Sequence, residues 1–291
     1  MRTPGHPADV GCVGPDLVTC KAFLPAAFVL GLIASGQLVG VADLSAILWA
    51  SAGLVSIGVP VALHVPELPR LAPAVHDPAL ERGEVGALVR QPVFRRLVLV
   101  AGLVLGSHAM HDGFAVIRWS EAGISAAVSS VLWSEQVAAE VLVFFVVGPM
   151  LLRRIDPAVA IAFAAVLAAL RWIVMALTSE VWVMALAEPL HGITFALLHL
   201  SCMRIIVQVV PQSLSGTAQA IYGAVGVGSS VALLTLVSGM LYGRFGAHGF
   251  WAMAALCVLA LPLAVSLRHR PQVISSEPSR RIPHPHSADR K

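Results

Sequence analysis

The chain alternates long apolar runs with short polar breaks, and most of the runs are too long to be core elements of a soluble domain. A run of about 18 or more apolar residues reads as a membrane-crossing helix, because hydrocarbon offers the backbone no hydrogen-bond partner and an α-helix satisfies its own. Two such runs come early, at 22–39 and 44–65, with Asp43 in the turn between them. Six more follow at close intervals, at 97–117, 126–151, 158–177, 181–210, 217–241 and 250–267. The pattern predicts an all-α polytopic membrane protein of about eight transmembrane helices.

The polar intervals divide the chain further. Residues 1–21 carry Pro, Gly and scattered charge without helical periodicity and read as a disordered cytoplasmic lead-in. A signal peptide with 22–39 as its apolar region is the alternative, although that region exceeds the roughly 7 to 15 residues typical of one. Residues 66–94 hold five prolines and seven charged side chains and form a linker between the two early helices and the later group at 95–267. The tail, 268–291, is basic, rich in Pro and Ser, and predicted to be unstructured.

Composition agrees with the pattern. Of 291 residues, 57% are hydrophobic and 12% charged, against about 25% charged in soluble domains, and the mean hydropathy is +0.83. The net charge of +3 is spread over short loops and the tail, with no basic patch interleaved with aromatics, so no nucleic-acid partner is expected. Cys12 and Cys20 lie in the polar start and Cys202 and Cys257 inside apolar runs, without a CxxC pair; neither a disulfide framework nor a zinc ribbon is indicated. Arg90, Arg95 and Arg96 precede the third run, Arg153 and Arg154 follow the fourth, and Arg268 and Arg270 follow the eighth. The opposite connections hold Arg118 and Arg244, so the positive-inside rule puts both termini and the linker in the cytoplasm.

Ionisable residues inside the apolar runs carry the candidate chemistry, since each costs roughly 2.5 to 3.5 kcal/mol at the bilayer centre and normally faces other helices or a wet space. His108, His111 and Asp112 are spaced i, i+3, i+4 and share a helix face. Read as function they are a proton-titrating or substrate-contacting cluster; read as structure they are packing glue between helices. In the sixth run, Glu188 and His199 lie about 20° apart around the helix and His191 about 60° to one side, which makes one polar stripe.

Glu135 and Glu140 of the fourth run are about 140° apart, so they point to different places. Arg171, the lone charge of the fifth run, is expected to form a structural ion pair with Glu140. Trp119, with Arg118 and Glu121 beside it, is expected at the membrane interface. Gln219 and Tyr222 are polar positions in the seventh run, where Gly223, Gly226 and Gly228 suit close helix packing. The eighth run has no charge and is expected to face lipid.

The stretches SHAMHDGFAVIRW (107–119), LWSEQVAAEVLVFF (132–145), LHGITFALLHLSCMR (190–204) and VPQSLSGTAQAIYG (210–223) resemble the 3-phenylpropionate permease-like, proton-symporter branch of the major facilitator superfamily. The resemblance covers about 88–267 and, more weakly, 44–65. It implies that 95–267 is the six-helix C-terminal bundle of a carrier whose first, second, fourth and fifth helices line a central site. It also implies proton-coupled symport of a small organic solute, such as an aromatic acid, across the inner (plasma) membrane. The site candidates it brings together are His108, His111, Asp112, Glu135, Glu188, His191, His199, Gln219 and Tyr222, with no cofactor. The family has six helices before its linker where this sequence has two, so the first four are expected to be lacking.

Two other readings compete with the carrier. Three of His108, His111, Asp112 and His191 or His199, plus water, would make a catalytic zinc site of an intramembrane enzyme, although the sequence has no HExxH and no repeated His-box. The last reading is a helix bundle with no transport role.

Overall fold

A computed structural model describes residue 31, residues 45–63 and residues 78–268. The expected disordered lead-in, nearly all of the first predicted run and all but the first residue of the expected tail lie outside the described residues. The second predicted run is helix α1, Ser45–Leu63, and the latter part of the expected linker is helix α2, Pro78–Arg90.

Five helical stretches among the described residues are long and apolar enough to cross a membrane: Pro92–Glu121 (α3), Ala126–Leu152 (α4), Pro157–Leu177 (α5), Val181–Val209 (α6) and Gln212–Ser266. The described chain is all-α, and the protein is a polytopic membrane protein. The last stretch, 55 residues long, turns back on itself at Gly246, whose φ of 55° lies in the left-handed region that favours glycine. We label its two limbs α7 (212–245) and α8 (Phe250–Ser266).

Neighbouring contacts fix the directions. Gly102 of α3 meets Ser230 of α7, Gly239 of α7 meets Phe114, and the Tyr242 hydroxyl donates to Glu121 Oε2 at 2.7 Å, so α3 and α7 run in parallel. A Cβ at Gly102 would sit 2.6 Å from Ser230 Oγ and 3.1 Å from the Gly226 carbonyl, so glycine sets that helix separation. By contrast α8 starts with Phe250, 5.8 Å from the Arg118 guanidinium, and brings Cys257 Sγ within 3.3 Å of Ser107 Oγ, so it runs antiparallel to α3.

Two helix starts are written locally. The Ser125 hydroxyl accepts from Val128 N at 3.3 Å, and the Asp156 carboxylate accepts from Ala158 N at 2.8 Å ahead of Pro157. Each satisfies an amide that the first helical turn leaves without a partner. Small residues then let α5 and α8 close on each other: Ala164, Ala165 and Ala168 are buried on one, Ala254, Ala260 and Ala264 on the other. The expectation that the last helix faces lipid therefore holds for one side alone, where Trp251, Val258, Leu259 and Val265 are exposed. Its opposite side, with Phe250, Met253 and Cys257, is core.

A second correction concerns the Glu121 end of α3. Trp119 is fully buried, edge-on to His111 and Trp133 with ring centroids 5.9 and 6.3 Å away. Arg118 is buried too, and its guanidinium donates to the Met175 carbonyl and, at 2.7 Å, to the Thr178 carbonyl at the end of α5. Those carbonyls end a helix and lack amide partners of their own. Both residues thus serve packing between helices rather than an interface belt.

Candidate functional site

Four breaks in helical regularity aim the polar side chains. In α3, the Ser107–His108 pair interrupts the helix, and the His108 amide bonds the Leu105 carbonyl at 3.2 Å. The Val104 carbonyl, which that amide would have met, accepts instead from the Ser107 hydroxyl at 2.6 Å and from His108 Nδ1 at 3.0 Å. In α6, Pro189 has no amide proton and forces a tight turn at Glu188–Leu190. Wider π-helical turns follow at Gly192–Leu197, facing another at Val143–Val147 of α4. Such turns shift the register by one residue and recur at functional sites. Gly192 makes the approach possible, since a Cβ there would lie 2.6 Å from the Ala139 carbonyl oxygen.

Arg171 is the centre. Fully buried, it donates from Nη2 to Glu188 Oε2 at 2.6 Å and to Gln136 Oε1 at 2.8 Å, and from Nη1 to His191 Nδ1 at 3.3 Å. The guanidinium also lies over the Trp172 ring, 4.8 Å from its centroid. Glu188, equally buried, accepts from His111 Nε2 at 3.2 Å through its other oxygen. His111 Nδ1 in turn lies 3.3 Å from Asp112 Oδ1, so both ring nitrogens face carboxylate oxygens. The His111 ring is stacked on Trp133 at 5.1 Å. The chain of contacts runs from the interior outward, since the Asp112 side chain is 49% exposed while those of His111 and Glu188 are at 0%.

The expected ion pair of Arg171 with Glu140 is not formed. Glu188 holds the guanidinium, and Glu140 Oε2 pairs with His191 Nε2 at 3.3 Å. His191 therefore accepts from Arg171 at one nitrogen and donates to Glu140 from the other. His108 closes the cluster from α3, with Nε2 3.1 Å from the Thr194 hydroxyl and its ring edge-on to His191 at 5.1 Å.

His199 and Tyr222 form a separate pair, with the Tyr222 hydroxyl 3.2 Å from His199 Nδ1 and the edge of Phe144 6.0 Å away. Gln219 is exposed and donates to Ser215 of its own helix at 3.3 Å. Glu135 is half-buried, senses the like charge of Glu188, and makes no hydrogen bond or ion pair with the described residues. Of the sequence candidates, then, His108, His111, Asp112, Glu188 and His191 assemble with Arg171 and Glu140, whereas Glu135, His199, Gln219 and Tyr222 stand apart from that assembly.

Sequence reasoning missed Gln136, Thr194, Trp133 and Trp172. A signal existed for two of them, because Trp133, Gln136 and Glu140 are spaced i, i+3, i+7 on one face of α4. Two buried polar atoms, Arg171 Nε and Trp119 Nε1, have no hydrogen-bond partner among the described residues.

A guanidinium 3.3 to 3.4 Å from imidazole nitrogens of His191 and His111 repels a cation from the place where those rings converge. No group of three or more His, Cys, Asp or Glu positioned to hold a metal occurs among the described residues.

Residues 23–253 match the family model described as "MFS_1 like family", and the chain belongs to that family. It is 33% identical over 255 residues to the "Probable 3-phenylpropionic acid transporter" of Escherichia coli (strain K12), which covers 86% of this chain and 63% of that protein. It is 22% identical over 240 residues to the "Maltose permease" of Geobacillus stearothermophilus, covering 82% of this chain and 60% of that protein. The chain thus spans less than two thirds of the length of these curated relatives.

Proposed function

We propose that the protein is a secondary transporter, or the C-terminal bundle with part of the N-terminal half of one, that moves a small organic solute by proton-coupled symport. One observation carries the reading: ionisable side chains that are costly in a membrane converge from α3, α4, α5 and α6 on a single network around Arg171 and Glu188, and two of its carboxylates, Asp112 and Glu140, reach its edge. In transporters of this kind the site lies between repeats near the midplane, and one bundle rocks against another. Residues 95–267 are one such bundle in this reading, with residues 66–94 as the linker to the helices before it.

Trp133 and Phe195, half-buried rings stacked on His111 and His191, support an aromatic solute, as does the relative whose name gives 3-phenylpropionic acid. In this reading the ends of the bundle with Arg95, Arg96, Arg153 and Arg154 face the cytoplasm of an inner membrane, and the protein catalyses no covalent reaction. The test is uptake of labelled 3-phenylpropionate into proteoliposomes under an imposed pH gradient. Accumulation above equilibrium that collapses with a proton ionophore supports symport, whereas uptake indifferent to the gradient contradicts it.

A further inference from the structure

We propose that Glu140 is the mobile proton carrier of this site and that His199, held by Tyr222, receives its proton on the side of the bundle that carries Arg153 and Arg154. The inference deepens the proton-coupled reading above and rests on it.

Among the carboxylates of the network, Glu140 is the one built to change partners. Glu188 is fully buried and gripped through both oxygens, by Arg171 at 2.6 Å and His111 at 3.2 Å. Moving it would strand a buried guanidinium, which makes it a fixed counter-charge. Asp112 sits at the rim, next to His111 in sequence and paired with its Nδ1 at 3.3 Å. The Glu140 side chain is 25% exposed and is held at one oxygen by one imidazole nitrogen. It can therefore meet water and still belong to the network.

The inner acceptor lies close to one turn farther along. Phe144, four residues after Glu140 on α4, is edge-on to His199 at 6.0 Å, and one helical turn is about 5.4 Å. Glu140 and His199 are already within electrostatic reach of each other. The other titratable groups facing Glu140 are Asp112 and His191; those facing His199 are Tyr222 and, behind it, Cys202.

In this step His199 is the Nδ1–H tautomer: the Tyr222 oxygen accepts from Nδ1–H at 3.2 Å, which leaves the Nε2 lone pair free.

The step balances without any further reactant. A proton from water forms the O–H bond of the Glu140 carboxyl group and cancels the charge that held it to His191 Nε2–H. The freed carboxyl swings toward His199 and its O–H bond breaks as the N–H bond at Nε2 forms, leaving a carboxylate and an imidazolium. The imidazolium releases the same proton to water on that side, and the carboxylate returns to His191.

The experiment uses the full chain in proteoliposomes with labelled 3-phenylpropionate as the probe, reading gradient-driven accumulation and counterflow separately. In Glu140→Gln, accumulation falls about a hundredfold, in the range by which a positioned acid–base group acts. Counterflow, which needs no net proton movement, falls far less. His199→Asn gives the same split, and Glu140→Asp restores part of the accumulation. Infrared titration of the purified proteins in detergent then shows a protonated-carboxyl band that Glu140→Gln abolishes and Glu188→Gln keeps.

Accumulation by Glu140→Gln at the unmodified rate would overturn the proposal, as would equal loss of counterflow and accumulation, or a carboxyl band that survives in Glu140→Gln. Absence of gradient-driven uptake by the unmodified chain is a different result: it removes the proton-coupled reading itself, and this inference with it.

Discussion

The two polar regions of α6 lie on one helix about two to three turns apart and are built on opposite principles. Around Arg171, three other helices supply partners: Gln136 from α4, His111 from α3, Glu188 and His191 from α6. Around His199, the polar hydrogen-bond partner among the described residues is Tyr222 of α7, with the Phe144 ring edge-on beside it. A charge taken fully out of water must be met by another charge and by hydrogen bonds, so the first region is crowded and rigid. A neutral imidazole needs much less, so the second can stay sparse. The difference teaches where change can happen: a network that is costly to disturb anchors the bundle, and its loosely held edge at Glu140 is free to respond.

The comparison can be attacked first at its rigid side. Arg171→Met leaves Glu188 as a buried charge without its guanidinium and should lower stability by roughly 3–5 kcal/mol, read as thermal unfolding of the purified protein in detergent. Gly192→Ala comes next. Its new methyl group would press on the Ala139 carbonyl of α4, a backbone atom that cannot swing away, and the expected loss is about 1–3 kcal/mol.

Ser107→Ala removes the oxygen that accepts the Trp172 Nε1 proton at 2.8 Å and leaves that buried donor unmet, for about 1–3 kcal/mol. The smallest effect belongs to the sparse region. Tyr222→Phe deletes one hydrogen bond to a part-buried imidazole, worth about 0.5–1.5 kcal/mol. If Tyr222→Phe destabilised the protein as much as Arg171→Met, the contrast between the two regions would be gone.

How much of this could be read in advance divides along a physical line. Helices, and groups sharing a helix face, are set by local periodicity, so α3 to α6, the cluster His108–His111–Asp112 and the pair Glu188 with His191 were legible. Which helix faces which is set by register between helices, and that is not written in any one of them. Arg171 had several intramembrane carboxylates to choose from, Glu135, Glu140 and Glu188 among them. It meets Glu188 rather than Glu140 because the Pro189 turn and the Gly192 contact fix how α6 lies against α4 and α5.

His199 looked like part of the same stripe for a related reason. The angle from Glu188 to His199 was right, but a separation of 11 positions carries it roughly 16 Å along the axis, at about 1.5 Å per residue. Trp119 misled differently, since its position at a helix end suggested an interface that the Arg118 contacts to Met175 and Thr178 in fact cover. Gln136 escaped because a neutral amide does not stand out in an apolar run, though it accepts one of the shortest bonds that Arg171 makes.

The central claim is that Arg171 and Glu188 hold each other inside the bundle as one unit. A double-mutant cycle measures it most directly, with Arg171→Met, Glu188→Gln and the double variant compared by equilibrium unfolding in detergent. The account predicts that the double variant is much less destabilised than the two single losses added together, with a coupling toward the upper end of the roughly 0.5–3 kcal/mol seen for directly bonded groups. Losses that simply add would contradict it.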